Sequence, residues 1–186
     1  FVIVGYLSFV SVASAQVLPI EFTATADSFL RDGQPNRNEG ANPHLFIQQS
    51  GSNRTLVSFD QAAISDYINE NGLSSATLIF TIVENGDNWG TIGRTIDVHP
   101  LLSTFAEGDG KDAEVSGPES TRGIGVGTTW NCATDTAIEN IVANCSPQWN
   151  GGIYGSVTAP SVTHTNGQTG EVSWNVTVDV LNSSFG

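Results

Sequence analysis

Residues 76–83 read Ala-Thr-Leu-Ile-Phe-Thr-Ile-Val, a nearly unbroken apolar run bounded by Asn71-Gly72 and Asn85-Gly86. It is too short and too β-branched for a core helix, and lacking polar alternation it reads as a central strand covered on both faces. Such a strand needs partners on either side and a layer to cover it. The partners are legible. Residues 20–30 are rich in Phe and Thr, residues 45–49 follow the turn opener Asn42-Pro43, and residues 55–59 mix β-branched and aromatic side chains. Residues 95–99 form another run, stopped by Pro100. Residues 171–176, Glu-Val-Ser-Trp-Asn-Val, alternate with period two, as a strand with one wet face does.

Helical signals are few. Ala62, Ala63, Ile64, Tyr67 and Ile68 share one helical face over residues 61–70, ending at Asn71-Gly72. Residues 136–143 are expected to make one or two turns capped by Asp135 or Thr134, and a helix capped by Thr177 is expected to begin at Val178. Long polar connections run over residues 32–42 and 104–129, the second with six glycines. Together these predict an all-β fold: an antiparallel, jelly-roll-like sandwich with long loops and one or two short helices. Because the sequence stops at Gly186 soon after a strong strand, the C-terminal strands are expected to be missing from it.

Residues 1–12 are almost all apolar, and Ala13-Ser14-Ala15 supplies the small residues that a signal peptidase reads. Residues 1–15 therefore read as a secretory signal, incomplete because it has neither Met nor a positive start, and residues 16–186 as one domain. The run is too short to span a bilayer; the alternatives are a buried strand or a short anchor. Cys132 and Cys145 are the only cysteines. In an exported protein they are expected to form a disulfide, the alternative being two free buried thiols; with no nearby His they cannot close a zinc site. The formal net charge of −13, six basic against nineteen acidic residues, disfavours nucleic acid and anionic membranes. Cations and neutral sugars remain.

Nothing in the sequence assembles a nucleophile. There is no Gly-x-Ser-x-Gly elbow, and His44, His99 and His164 are far apart, each beside a turn or proline. The expectation is a protein that is not an enzyme. A calcium site is the candidate metal centre: Glu107, Asp109, Asp112 and Glu114 put four carboxylates into eight residues with two glycines. A second acidic and amide cluster comprises Asp27, Asp32, Asn36, Asn38 and Glu39; a solvated acidic loop is the alternative for both. Trp174, between Val172 and Val176, belongs to the core. Trp89, Trp130, Trp149 and Tyr154 lie on loops beside Asn, Asp and Gln, which is what a sugar-binding platform needs: apolar faces for C–H groups and polar groups for hydroxyls. The alternative is that these rings cover the disulfide and plug the end of the sandwich. Asn-x-Ser/Thr sequons begin at Asn53, Asn144, Asn175 and Asn182.

Several blocks, in order, resemble a known family. Thr25-Ala26-Asp27-Ser28-Phe29-Leu30-Arg31 and Pro35-Asn36-Arg37-Asn38-Glu39-Gly40 resemble the opening of the DNRLRE domain, which overlaps with family 96 of the carbohydrate-binding modules. Asn53-Arg54-Thr55-Leu56-Val57-Ser58-Phe59-Asp60, Ser75-Ala76-Thr77-Leu78 and Trp174-Asn175-Val176-Thr177-Val178-Asp179-Val180 are similar to its later blocks. The resemblance implies a secreted β-sandwich, an accessory or surface module covalently linked to neighbouring domains, with polysaccharide or cell-surface glycan as partner. Some relatives bind acidic polysaccharides, for which basic residues are scarce here: Arg31, Arg37, Arg54, Arg94, Lys111 and Arg122. Arg37 and Arg54 sit in the shared blocks, where pairing with Asp60 or Asp27 competes with ligand contact. The functional expectation is a non-catalytic extracellular module that binds carbohydrate. The alternative is a structural or adhesion module with calcium stiffening its loops.

Overall fold

The computed structural model describes residues 5–10, 19–48, 52–112 and 120–184. The chain divides into two compact units. Among the described residues one comprises those of Ala26–Val57 and Leu101–Gly155, and the other those of Gly5–Thr25, Ser58–Pro100 and Ser156–Ser184. The strands lie in antiparallel sheets, with two short helices and no closed barrel among the described residues, so the fold is all-β.

The second unit is built on the central apolar run. β1 (Gly5–Val10) falls inside the leader-like segment, β2 is Ile20–Thr23, β5 is Ser75–Ile82 and β8 is Gly170–Asn175. They form one sheet in the order β2-β1-β5-β8, in which Leu78 of β5 faces Leu7 on one side and Trp174 on the other. β5 is internal, as its sequence requires, but its faces are unequal. Ala76, Leu78, Phe80 and Ile82 are buried, while Thr77, Ile79 and Thr81 are half-covered. The Phe80 and Trp174 rings meet edge to face at 5.8 Å, and Trp174 Nε1 donates to the Ile96 carbonyl at 3.1 Å, which satisfies the indole inside the core. β6 (Arg94–Ile96) and β7 (Val162–His164) make a short antiparallel pair.

Helix α1 (Gln61–Asn71) starts where Asp60 accepts the Ala63 amide and ends at Gly72, whose φ of 75° suits glycine. It buries Ile64 and Ile68. Helix α2 (Thr177–Ser184) begins one residue earlier than expected, and Thr177 is not its cap. Asn175 Oδ1 accepts the Thr177 amide instead, and the Thr177 hydroxyl accepts the Ala76 amide of β5.

In the first unit β3 (Ala26–Arg31) pairs with β4 (Asn53–Ser58). The run expected as one strand over residues 20–30 is thus two, broken at Ala24-Thr25, with β2 and β3 in different sheets. Residues 45–48 hold only a single bridge, Gln48 to Asn53, rather than a strand. The expected helix over residues 136–143 does not form. Its amides are spent elsewhere: Thr136 donates to Asn144, Ala137 to the Asp135 side chain and Ile138 to Gly125, so the repeating bonds of a helix are not made. The unit is held by Leu30, Leu56 and Trp149, with Leu101, Phe105, Trp130 and Ala133 packed against them. No helix among the described residues is long and apolar enough to cross a membrane.

Candidate functional site

The polar residues of the 31–42 segment have internal work. Asn38 is buried and bonded on both ends of its amide. Its Nδ2 donates to the carbonyls of Glu107 and Thr128 at 2.6 and 2.7 Å, and its Oδ1 accepts the amides of Gly40 and Gly110 at 3.2 and 2.7 Å. One side chain thereby ties three stretches of backbone. Gly40 is glycine because a Cβ there would lie 2.2 Å from the Glu107 carbonyl oxygen. Glu39, 1% exposed, takes Arg31 Nη1 at 2.7 Å, the Asn42 amide group at 3.2 Å and the Asp112 backbone amide at 2.9 Å. A buried carboxylate so paired and hydrogen-bonded offsets much of its desolvation.

The acidic residues expected to hold calcium are largely engaged the same way. Asp112 pairs with Arg31 at 3.1 Å and Arg37 at 3.7 Å and accepts the Ser120 hydroxyl at 2.6 Å. The hydroxyl bond, with the two guanidinium groups, holds its carboxyl below the usual range. Asp109 accepts the Ile124 amide at 2.7 Å. Glu107 accepts the Asp27 amide at 3.3 Å, and burial together with the Glu107 charge pushes the Asp27 carboxyl up. Glu114 lies outside the described residues. Among the described residues no group of three or more His, Cys, Asp or Glu is arranged to hold a metal ion.

The four aromatic residues separate. Trp149 is 6% exposed, and its indole donates to the Thr129 carbonyl at 2.9 Å, so it is core. Trp89 belongs to the other unit, where its ring lies 4.4 Å from His164 and its Nε1 donates to Asn85 Oδ1 at 2.9 Å. Trp130 and Tyr154 come together through Arg54, for which the sequence left pairing with an acid and ligand contact both open. Arg54 on β4 extends its guanidinium 4.8 Å from the Trp130 ring centre and 5.0 Å from that of Tyr154. Its Nη1 donates to the Gly151 carbonyl at 2.6 Å. A guanidinium is planar and weakly hydrated, so it stacks on rings where an ammonium would stay in water.

Local chain geometry sets this stack. Cys132 and Cys145 are bonded, with an S–S distance of 2.03 Å, closing the loop next to Trp130. The Trp149 amide donates to Asn131 and the Gly151 amide to Trp130, which lays the 149–151 segment against the 130–132 segment. Gly151 has a φ of +88°, and a Cβ there would meet the Trp130 ring at 2.8 Å and Arg54 Nη1 at 2.9 Å; both facts demand glycine. Tyr154 bridges to Leu101, and the Leu102 amide donates to Ile153. Leu102, Ile153 and Tyr154 are 64, 48 and 44% exposed. The proximity of Arg54 to Trp130 and Tyr154 had no sequence signal, since 76 and 100 positions separate them.

No family model, no curated protein and no solved structure matches this chain.

Proposed function

We propose that the chain is a non-catalytic extracellular module that binds carbohydrate, serving as an accessory or surface domain of a larger protein. The observation that carries this reading is the stack of Tyr154, Arg54 and Trp130, in which the Tyr154 ring stays 44% exposed. Aromatic and apolar faces take the C–H side of a pyranose, and a fixed guanidinium donates to its hydroxyls. The net charge of −13 favours neutral polysaccharide over polyanions. Affinity electrophoresis in gels cast with neutral polysaccharides tests it. Retardation of the native chain, lost in Tyr154→Ala and Arg54→Ala but kept in Trp89→Phe, is the expected outcome. Retardation by no gel, or unchanged in both variants, overturns it.

A second reading is a structural or adhesion module of a surface or matrix protein, with calcium as its stiffening ion. The internal engagement of Asn38, Glu39 and Asp112 favours it, because those residues serve the fold rather than a ligand. The Asp27 and Glu107 carboxylates are the repelling pair toward which a cation would be drawn. A melting temperature raised by calcium and lowered by chelator supports this reading; indifference to both removes the ion from it.

A further inference from the structure

The four sequons stand in unlike surroundings. Asn144 uses its amide nitrogen twice, toward Asn140 Oδ1 at 3.1 Å and the Val142 carbonyl at 2.8 Å, beside the bonded Cys145. A glycan there would remove one of those donors. Asn53 is half-buried in β4, its Nδ2 directed at Gln48 Oε1 at 3.5 Å. Asn182 lies within helix α2, near the end of the described residues.

Asn175 differs on each count. It ends β8, the outermost strand of its sheet, and is exposed between buried Trp174 and Val176. The Thr177 hydroxyl accepts the Ala76 amide at 2.9 Å, which leaves its own hydrogen to donate to Asn175 Oδ1 at 2.7 Å. The Thr177 amide donates to the same oxygen at 3.1 Å. Two donors thus hold the amide oxygen, while Nδ2 has no partner among the described residues. The hydroxyl of the sequon and its amide are therefore already paired, on a surface where an attached sugar displaces nothing.

We propose that Asn175 is the acceptor of an N-linked glycan. The proposal rests on the export reading above. In the transfer, Asn175 Nδ2 attacks the anomeric carbon of an oligosaccharide carried on a lipid diphosphate. The new C–N bond forms as the bond from carbon to the diphosphate oxygen breaks. The amide gives up one proton, and the lipid diphosphate leaves with the bonding pair.

The test translates the full chain into eukaryotic microsomes behind a foreign secretion leader placed ahead of Phe1, so that entry does not depend on residues 1–15. Protease-protected chain is then treated with peptide N-glycosidase and mapped. Conversion of Asn175 to aspartate, abolished in Asn175→Gln and Thr177→Val and retained in Thr177→Ser, is expected. Unmodified Asn175 in protected, disulfide-bonded chain overturns the assignment, as does a glycan confined to Asn53, Asn144 or Asn182. A parallel translation with Met-Lys in place of the foreign leader, which completes the signal expected in residues 1–15, reads export separately: glycan at Asn175 in the first reaction and no protected chain in the second leaves the site standing and sinks the export reading.

Discussion

Asn38 shows how much one side chain can carry. It meets four backbone groups, and its removal leaves several buried donors and acceptors unpaired. Asn38→Ala is expected to cost about 3 kcal/mol, read as a lower urea midpoint with an unchanged slope. Asn38→Asp should cost at least as much, because a carboxylate cannot donate to the Glu107 and Thr128 carbonyls. A midpoint within error of the parent would mean that water replaces those bonds. Trp149 makes the opposite case for the aromatic residues. Buried against Leu30 and Leu56, it is expected to lose about 3–5 kcal/mol on change to alanine, a packing loss visible without any ligand.

Among the elements, the loop between the cysteines has neither helix nor extended strand to stiffen it. Its order comes from one covalent link and from bonds such as Gly127 to Asp135 in both directions. Closing that loop stabilises by roughly 3 kcal/mol in the chain-entropy model. The paired change Cys132→Ser and Cys145→Ser is therefore expected to lower the unfolding free energy by about that amount. Tyr154 and Trp130 sit on segments anchored by this loop, so the same double variant should also weaken retardation in polysaccharide gels. Helix α1 offers a smaller, cleaner test. Asp60→Ala removes the bond to the Ala63 amide and should cost about 1 kcal/mol, measured by thermal unfolding.

For the whole molecule, pH is the broadest probe, and His164 sets its first inflection. His164 is buried beside the Trp89 ring, and its Nε2 lies 3.1 Å from Asn85 Nδ2, which also donates to the Thr165 and Gln168 carbonyls. Burial lowers the His164 pKa from its ordinary 6.5. As pH falls below about 6.5 the unfolded chain takes up a proton that the folded chain refuses, so stability drops until the folded pKa is reached. Asp112 acts in the same direction lower down, below about 4, whereas Asp27, with its raised pKa, is relieved by acid. The melting temperature should fall between pH 7.5 and 5.5 and fall less in His164→Gln; a flat profile in the parent contradicts this. The all-β class, the central position of residues 76–82, helix α1 with its end at Asn71-Gly72 and the cysteine pair were all legible in the sequence. Each depends on periodicity, caps or a pairing with no competitor, which are local or forced. The break at Ala24-Thr25, the missing helix over residues 136–143, the burial of Trp149 and the seat of Arg54 were not. Those were decided by which distant backbone groups compete for the same amides and which rings come within reach once the loops close, and no neighbouring residue in the chain carries that information.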